Sequence, residues 1–536
     1  MAGLLAACGT EEPATNEIVI SQTSQPDRLD PALSYEVNSW EPLWLVYTPL
    51  LTYRHAEGTD GAELIPGLAA DLPEVSDDGT VYELELRDRL EYSDGTEAKA
   101  GDFEHTIKRV LALESGGLGF YDGIAGAREY LRAGDPDADI SGIETVDETG
   151  EITITLTEPD ATFSNVLAMN FAGLVPGDTP FENMTADPPP GVGPYEITES
   201  SPNRQFVLER NQRFDELDIP DIPTGNIDKI TTRIVRSERE QAQDVLDNEL
   251  DYMQDPPPPD LKPTVLEQAG DRYTEHATVS TYYFFLNHRT APFDDPKVRA
   301  AVNYGLDRSG LARIYAGTLK PGCAFLAPGM PGYDEALDTS ECPYGDPEQP
   351  PDLDRARELI TEAGASGTGV TVWGSNEEDT QAVTEAYAEM LNQIGLVAEP
   401  RIVDAGIYYA TVENQRTQAQ TGFNTWFQDF PHPLNFYFLV DGDSIQATNN
   451  KNPGNVDDLQ VDLEIDRLRG APELDAVTDD WESLDRYLVD PAQSHVAPFG
   501  HKEIATFLSE RIDPGSAIFH PLYRNDYSSW ELKEGG

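Results

Sequence analysis

Between Thr421 and Leu439 the chain reads TGFNTWFQDFPHPLNFYFL. One acidic residue, Asp429, stands there among Trp426, Phe427, Phe430, Phe436, Tyr437 and Phe438. A carboxylate set among aromatic rings is costly to bury without a partner. It demands a cation, and an arriving ammonium group would supply one. The competing reading is structural, an N-cap or turn aspartate satisfied by arginine or backbone groups. Either way the chemistry on offer is recognition rather than bond-making. No G-x-S-x-G elbow, P-loop, G-x-G-x-x-G, H-E-x-x-H or C-x-x-C occurs. The eight histidines show no i, i+4 metal spacing, so no metal ligand is named and no cofactor is expected. With 98 Asp and Glu residues, a pair of catalytic carboxylates can be drawn almost anywhere, and that signal carries no weight.

The elements that would position such a site alternate between strand and helix patterns. Val81, Glu83, Glu85 and Arg87 alternate with Tyr82, Leu84 and Leu86, as in a half-buried strand. Strands are also expected at 152–157, 206–213, 227–235 and 370–373. Asp102 is expected to cap a helix with Phe103, Ile107, Val110 and Leu111 on one face. Asp295 before Pro296 predicts an N-cap with proline at the first helical position. Val298, Ala301, Val302, Gly305 and Leu306 then share a face. Leu353–Ala363 closes on Gly364, and a helix with Ala382, Ala386, Met390 and Ile394 closes on Gly395. This βαβ rhythm fits an α/β lobe.

The bulk properties narrow the setting. A chain of 536 residues implies more than one domain. A formal charge of −62 is spread along the whole length. Such a surface repels itself at low salt and is screened where the Debye length falls to about 3 Å, near 1 M salt. It suits a salty or alkaline medium, and it argues against nucleic acid as a partner. Leu5-Ala6-Ala7-Cys8 resembles a bacterial lipobox, in which the cysteine is lipidated. The charged and apolar regions of a signal peptide are missing before it, so the start is expected to lie upstream. A Pro/Gly-rich loop separates Cys323 from Cys342. A disulfide between them would staple that loop, worth about 3 kcal/mol in an oxidising compartment. No run of about 20 apolar residues follows, so no membrane span is expected.

Several separated strings share one resemblance. NHRTAPFDDPKVRAAVNYGLDR (287–308) resembles a hallmark segment of the family 5 solute-binding proteins, the extracytoplasmic receptors of peptide and nickel ABC importers. The turn Leu29-Asp30-Pro31, the block from Leu68 to Arg109, the turn Gly191-Val192-Gly193-Pro194-Tyr195 and FVLERNQR (206–213) are similar to further family elements. Thr425-Trp426-Phe427-Gln428-Asp429 resembles the family's G-W-x-x-D, with Asn424-Thr425 in place of the glycine.

The resemblance implies a type II periplasmic-binding-protein-like α/β fold, with two main lobes, a hinge and an inserted domain. Residues 1–16 would be lipobox and spacer. Lobe I would comprise 17–47, 188–274 and 504–536, the inserted domain 48–187, and lobe III 275–503. It further implies that Asp429 holds a peptide's α-amino group, with Thr425, Trp426 and Phe427 beside it. Asn38, Ser39, Trp40 and Tyr121 would face it from the opposing side, with backbone pairing to an extended ligand. The expected function is an anchored, monomeric receptor that closes on oligopeptides or dipeptides and delivers them to ABC permease subunits. Alternatives are the same fold with a nickel chelate, haem, sugar or opine as cargo, a secreted hydrolase, or a surface adhesin or chaperone.

Overall fold

The computed structural model describes residues 16–217, 219–315, 317–471 and 474–533. The Cys8 motif lies outside them. Alternation builds the strands as expected. Val81–Glu85 buries Tyr82 and Leu84 and turns Glu83 and Glu85 to solvent. It pairs with Glu74–Val75 and Glu151–Thr155 in a four-stranded antiparallel sheet completed by Ile143–Val146.

A five-stranded sheet runs in the order Tyr252–Met253, Glu17–Gln22, Lys229–Ile234, Gln205–Arg210, Tyr195–Ser201. Its first three strands are parallel and the rest antiparallel. The strand expected over 206–213 stops at Arg210, because Asn211 accepts the Arg213 N–H and starts a helical turn at Gln212–Asp215. The glycines of the 191–195 turn permit close packing. A Cβ on Gly193 would stand 2.6 Å from the Leu45 carbonyl oxygen.

The seven-stranded mixed sheet is ordered Tyr273–Ala277, Val496–Phe507, Ser280–Leu286, Thr421–Phe427, Gly369–Ser375, Val397–Val403, with Leu319–Pro321 also on the long strand. Helices Pro296–Gly305, Leu353–Glu362 and Glu378–Gln393 accompany it. Asp295 caps the first through the Lys297 N–H at 2.8 Å, and Val298, Ala301, Val302, Gly305 and Leu306 are buried, as their spacing predicts. Two helices differ from expectation. Asp102 is not the cap of its helix, which starts at Ala100. It sits at the third position and accepts the Lys99 N–H at 2.9 Å, half of a capping box. In Glu378–Gln393 the buried stripe is Val383, Tyr387 and Leu391, one position beyond the expected alanines, because Tyr387 stacks on Phe284.

Cys323 and Cys342 form a disulfide with Cα atoms 5.8 Å apart. Inside the strap it closes, the Asp338 carboxylate accepts the N–H groups of Cys323 and Ala324 at 2.7 and 2.8 Å.

Two large cores result. One gathers residues of the five- and four-stranded sheets together with Leu508 to Trp530 of the C-terminal return. The other is drawn entirely from Val279 to Phe499. The strand Val496–Phe507 begins in the second core and ends, at Phe507, in a small cluster beside the first. With Tyr273–Ala277 alongside it, this strand links the two bodies. Such paired crossings absorb hinge motion between otherwise rigid units.

Candidate ligand-binding cleft

The strand Thr421–Phe427 ends on the border between the two cores, and the six residues after it turn across that border. Its aromatic neighbours therefore separate. Phe436 and Tyr437 are buried in the second core. Phe430 crosses to the first, where Phe120 meets it edge-on at 6.3 Å. Trp426 and Phe427 stay half-buried on the wall of a cavity of about 620 Å3 between the bodies. That volume lies within the ordinary range of ligand pockets.

Asp429 lies on this wall, 5% exposed. Its Oδ2 accepts the Asn435 side-chain amide at 2.8 Å, and its backbone N–H donates to Asn435 Oδ1 at 2.7 Å. Its Oδ1 accepts the hydroxyl of Tyr35 at 3.1 Å, across the cleft from a residue 394 positions earlier. No cation among the described residues lies within ion-pair distance. Burial therefore dominates and lifts the carboxyl from 3.8 to about 6, while the bonds from Asn435 and Tyr35 and the charge of Lys451 pull the other way. Lys451 is committed elsewhere, with Nζ 2.9 Å from both oxygens of Glu413. Burial and the adjacent Asp429 push the Tyr35 phenol well above its usual range, so it stays a donor.

Six of the eight ligand-binding candidates read from the sequence line this cavity: Asn38, Trp40, Thr425, Trp426, Phe427 and Asp429. Asn38 Oδ1 and Thr425 Oγ1 are buried there without a hydrogen-bond partner, as is Gln428 Oε1. Unsatisfied buried acceptors of this kind carry a desolvation cost that a ligand's donors would relieve.

The other two candidates sit elsewhere. Ser39 points away from the cavity and donates to Asp27. Tyr121 is fully buried, and its hydroxyl donates to the Val166 carbonyl at 3.0 Å. A tyrosine that closes a helical turn over a core is drawn in by its apolar area, and its local sequence does not reveal this. The sequence reading also missed Tyr35, Asn435 and Lys451. Asn435 lies six residues from Asp429, within reach of a local turn reading. Tyr35 carries no local signal at all.

Among the described residues, no group of three or more His, Cys, Asp or Glu side chains is arranged to hold a metal ion. No helix among them is long and apolar enough to cross a membrane.

The family model described as bacterial extracellular solute-binding proteins, family 5 Middle, matches residues 63–447. The chain belongs to this family. Its members are described as extracellular solute-binding proteins, and they share the type II periplasmic-binding-protein fold of two lobes with an extra domain. The glutathione-binding protein GsiB of Shigella flexneri is 27% identical over 431 residues, covering 79% of this chain and 76% of that protein. Among solved structures, the clavulanic acid biosynthesis oligopeptide binding protein 2 superposes with a TM-score of 0.87 at 24% identity, covering 96% and 95% of the two chains. The MppA periplasmic murein tripeptide binding protein, in an unliganded open form, gives 0.75 at 20% identity, covering 97% and 98%. At these identities the structural matches establish the fold. The family 5 architecture also accounts for the cleft, which lies between two bodies joined by crossing strands.

Proposed function

We propose that this chain captures short peptides with a free amino terminus between its two lobes and delivers them to the membrane permease of an ABC importer. The observation that carries the reading is Asp429, a buried carboxylate on the cleft wall with no cation in contact. An incoming ammonium group would complete it and displace the Tyr35 hydroxyl from Oδ1. The unsatisfied oxygens of Asn38 and Thr425 offer acceptors for a peptide's N–H groups. The relatives named for glutathione, oligopeptides and a murein tripeptide support a peptidic cargo.

In this reading Cys8 carries the lipid that tethers a monomeric receptor outside the membrane, and the acidic surface keeps it soluble in a salty medium. The moving bodies are 17–47 with 188–274 and 504–536, carrying the inserted 48–187, against 275–503. The decisive experiment is titration calorimetry of the protein and its Asp429→Asn variant with a panel of di- and tripeptides and their N-acetylated forms. Binding restricted to free amines, and lost in the variant, is expected. Equal affinity of both proteins for the free amines would remove the assignment.

A further inference from the structure

The three residues after the strand Thr421–Phe427 reach three different parts of the first body. Asp429 meets Tyr35, and Phe430 meets Phe120. Gln428 meets the C-terminal return, where its side-chain Nε2 donates to the Pro521 carbonyl at 2.9 Å. Its backbone is held by the second body, the N–H donating to the carbonyl of Val279, a residue of the second core, at 3.0 Å.

The Pro521 carbonyl is offered by a well-fixed turn. Phe519 and His520 pair with Asn525 and Arg524, and the His520 ring accepts the N–H groups of Leu522 and Tyr523 at 3.1 and 3.0 Å. Leu522 and Tyr523 are buried in the first core, and the Tyr523 hydroxyl donates to the Ala168 carbonyl at 3.0 Å. The turn therefore moves with one body and Gln428 with the other. The bond between them forms as the bodies come together.

A primary amide has two ends, and here they fare differently. A carbonyl only accepts, so Pro521 fixes which end of the Gln428 amide faces it. The other end, Oε1, is buried without a donor among the described residues, although the side chain lines the cavity and is only 8% exposed. Gln241 shows the satisfied alternative. It is fully buried, its Nε2 donates to the Val235 carbonyl at 2.7 Å, and its Oε1 accepts the Ser21 hydroxyl at 2.7 Å.

A buried acceptor without a donor has lost its water and gained no partner. For Gln428 that loss accompanies closure, because the same movement that brings Nε2 to Pro521 seals Oε1 from solvent. A ligand donor at Oε1 removes the loss in the closed form alone. A ligand shifts such an equilibrium by its difference in affinity for the two forms. The carboxylate of Asp429 is the stronger partner for a charged ammonium, whereas the neutral amide oxygen of Gln428 suits a peptide N–H.

We infer that Gln428 couples recognition to closure, its Nε2 clasping the two lobes while its Oε1 receives a peptide N–H of the ligand. The inference rests on the peptide reading above and deepens it. The site would select a ligand that carries a secondary amide as well as a free amine.

The test uses the full chain and pooled tripeptides of neutral side chains. One pool is all-amide, and in two others the first or the second amide linkage is an ester, which removes one N–H at nearly constant shape. In the wild type one of the two esters is expected to bind about 10-fold weaker or more than the all-amide pool by calorimetry, as an orphaned buried acceptor would require. That gap should vanish in Gln428→Met, which keeps the length of the side chain without an amide, and in Gln428→Leu as a second variant. If neither ester differs from the all-amide pool in the wild type, the inference is wrong, and no variant is needed to show it. A gap that survives in both variants would equally overturn it, by placing the acceptor elsewhere. In either case, amino-terminal acetylation that still abolishes binding leaves the peptide reading standing. If no pool binds, both fall.

Discussion

Asp30 and Asp429 are both buried aspartates, and they are provided for in opposite ways. Asp30, fully buried, receives Arg109 through two guanidinium nitrogens at 3.0 and 2.8 Å and the N–H groups of Ala32 and Met184 at 3.1 and 3.0 Å. Arg109 in turn donates to the carbonyls of Pro180 and Glu182. Asp429 has only an amide and a phenol. For Asp30 the counter-charge comes from the same core, whereas among the described residues Asp485, also fully buried and away from the cavity, is held by the N–H groups of Phe325 and Leu326 alone, and burial lifts its carboxyl to about 8. On the cleft wall that counter-charge is left out. What sets Asp429 apart is the combination of a missing counter-charge with a place on the cavity wall.

Breaking the first pair should have the largest effect. Asp30→Ala leaves a guanidinium buried and uncompensated, and a loss of about 3–5 kcal/mol in urea unfolding is expected. A near-neutral result would mean that water reaches Arg109. Asp429→Asn should cost about 2–5 kcal/mol in binding of amino-terminal peptides by calorimetry. The same change should leave folding intact or improve it. The lift of the carboxyl from 3.8 to about 6 amounts to about 3 kcal/mol against the folded, charged form at neutral pH. A higher melting temperature for the ligand-free variant is therefore the expected outcome, and a fall would make Asp429 a structural residue like Asp30.

The same lift sets a pH dependence. The folded state holds the Asp429 proton more tightly than the unfolded state. Its contribution to stability is therefore fullest below about pH 4, declines as pH rises through 4 to 6, and stays lower above. Binding of an ammonium group runs the other way, weakening as pH falls through about 6. Both trends should vanish in Asp429→Asn when melting and affinity are followed from pH 4 to 8. The smallest effect belongs to Tyr35→Phe. It removes one cross-cleft bond at 3.1 Å, worth about 1 kcal/mol to the closed ligand-free form. A larger radius of gyration without ligand, by small-angle scattering, is expected. An unchanged radius would place the closing force in Phe430 and its apolar neighbours.

Legibility followed the range of the interactions. The Asp295 cap, the strand Val81–Glu85 and the helix face from Val298 to Leu306 depend on neighbours a few residues away, and they are written in spacing. The end of the strand at Arg210 depended on a local Asn211 cap that periodicity does not register. The site divides in the same manner. Asp429 is visible because W-x-x-D is a local pattern. Tyr121 misleads because a tyrosine after phenylalanine looks alike whether it faces a cleft or a core.

By itself, then, the sequence determined the elements, the two cysteines fit to staple a loop, and an acidic residue among aromatics that asks for a positive charge. Only the tertiary structure decided which charges meet. Tyr35 and Asp429 are separated by 394 positions and joined by one hydrogen bond. Asp429 proves uncompensated because Lys451 turns to Glu413. Composition states how many charges a chain carries, whereas distance and burial state which of them remain to bind something else, because Coulomb energy and desolvation depend on the folded positions alone.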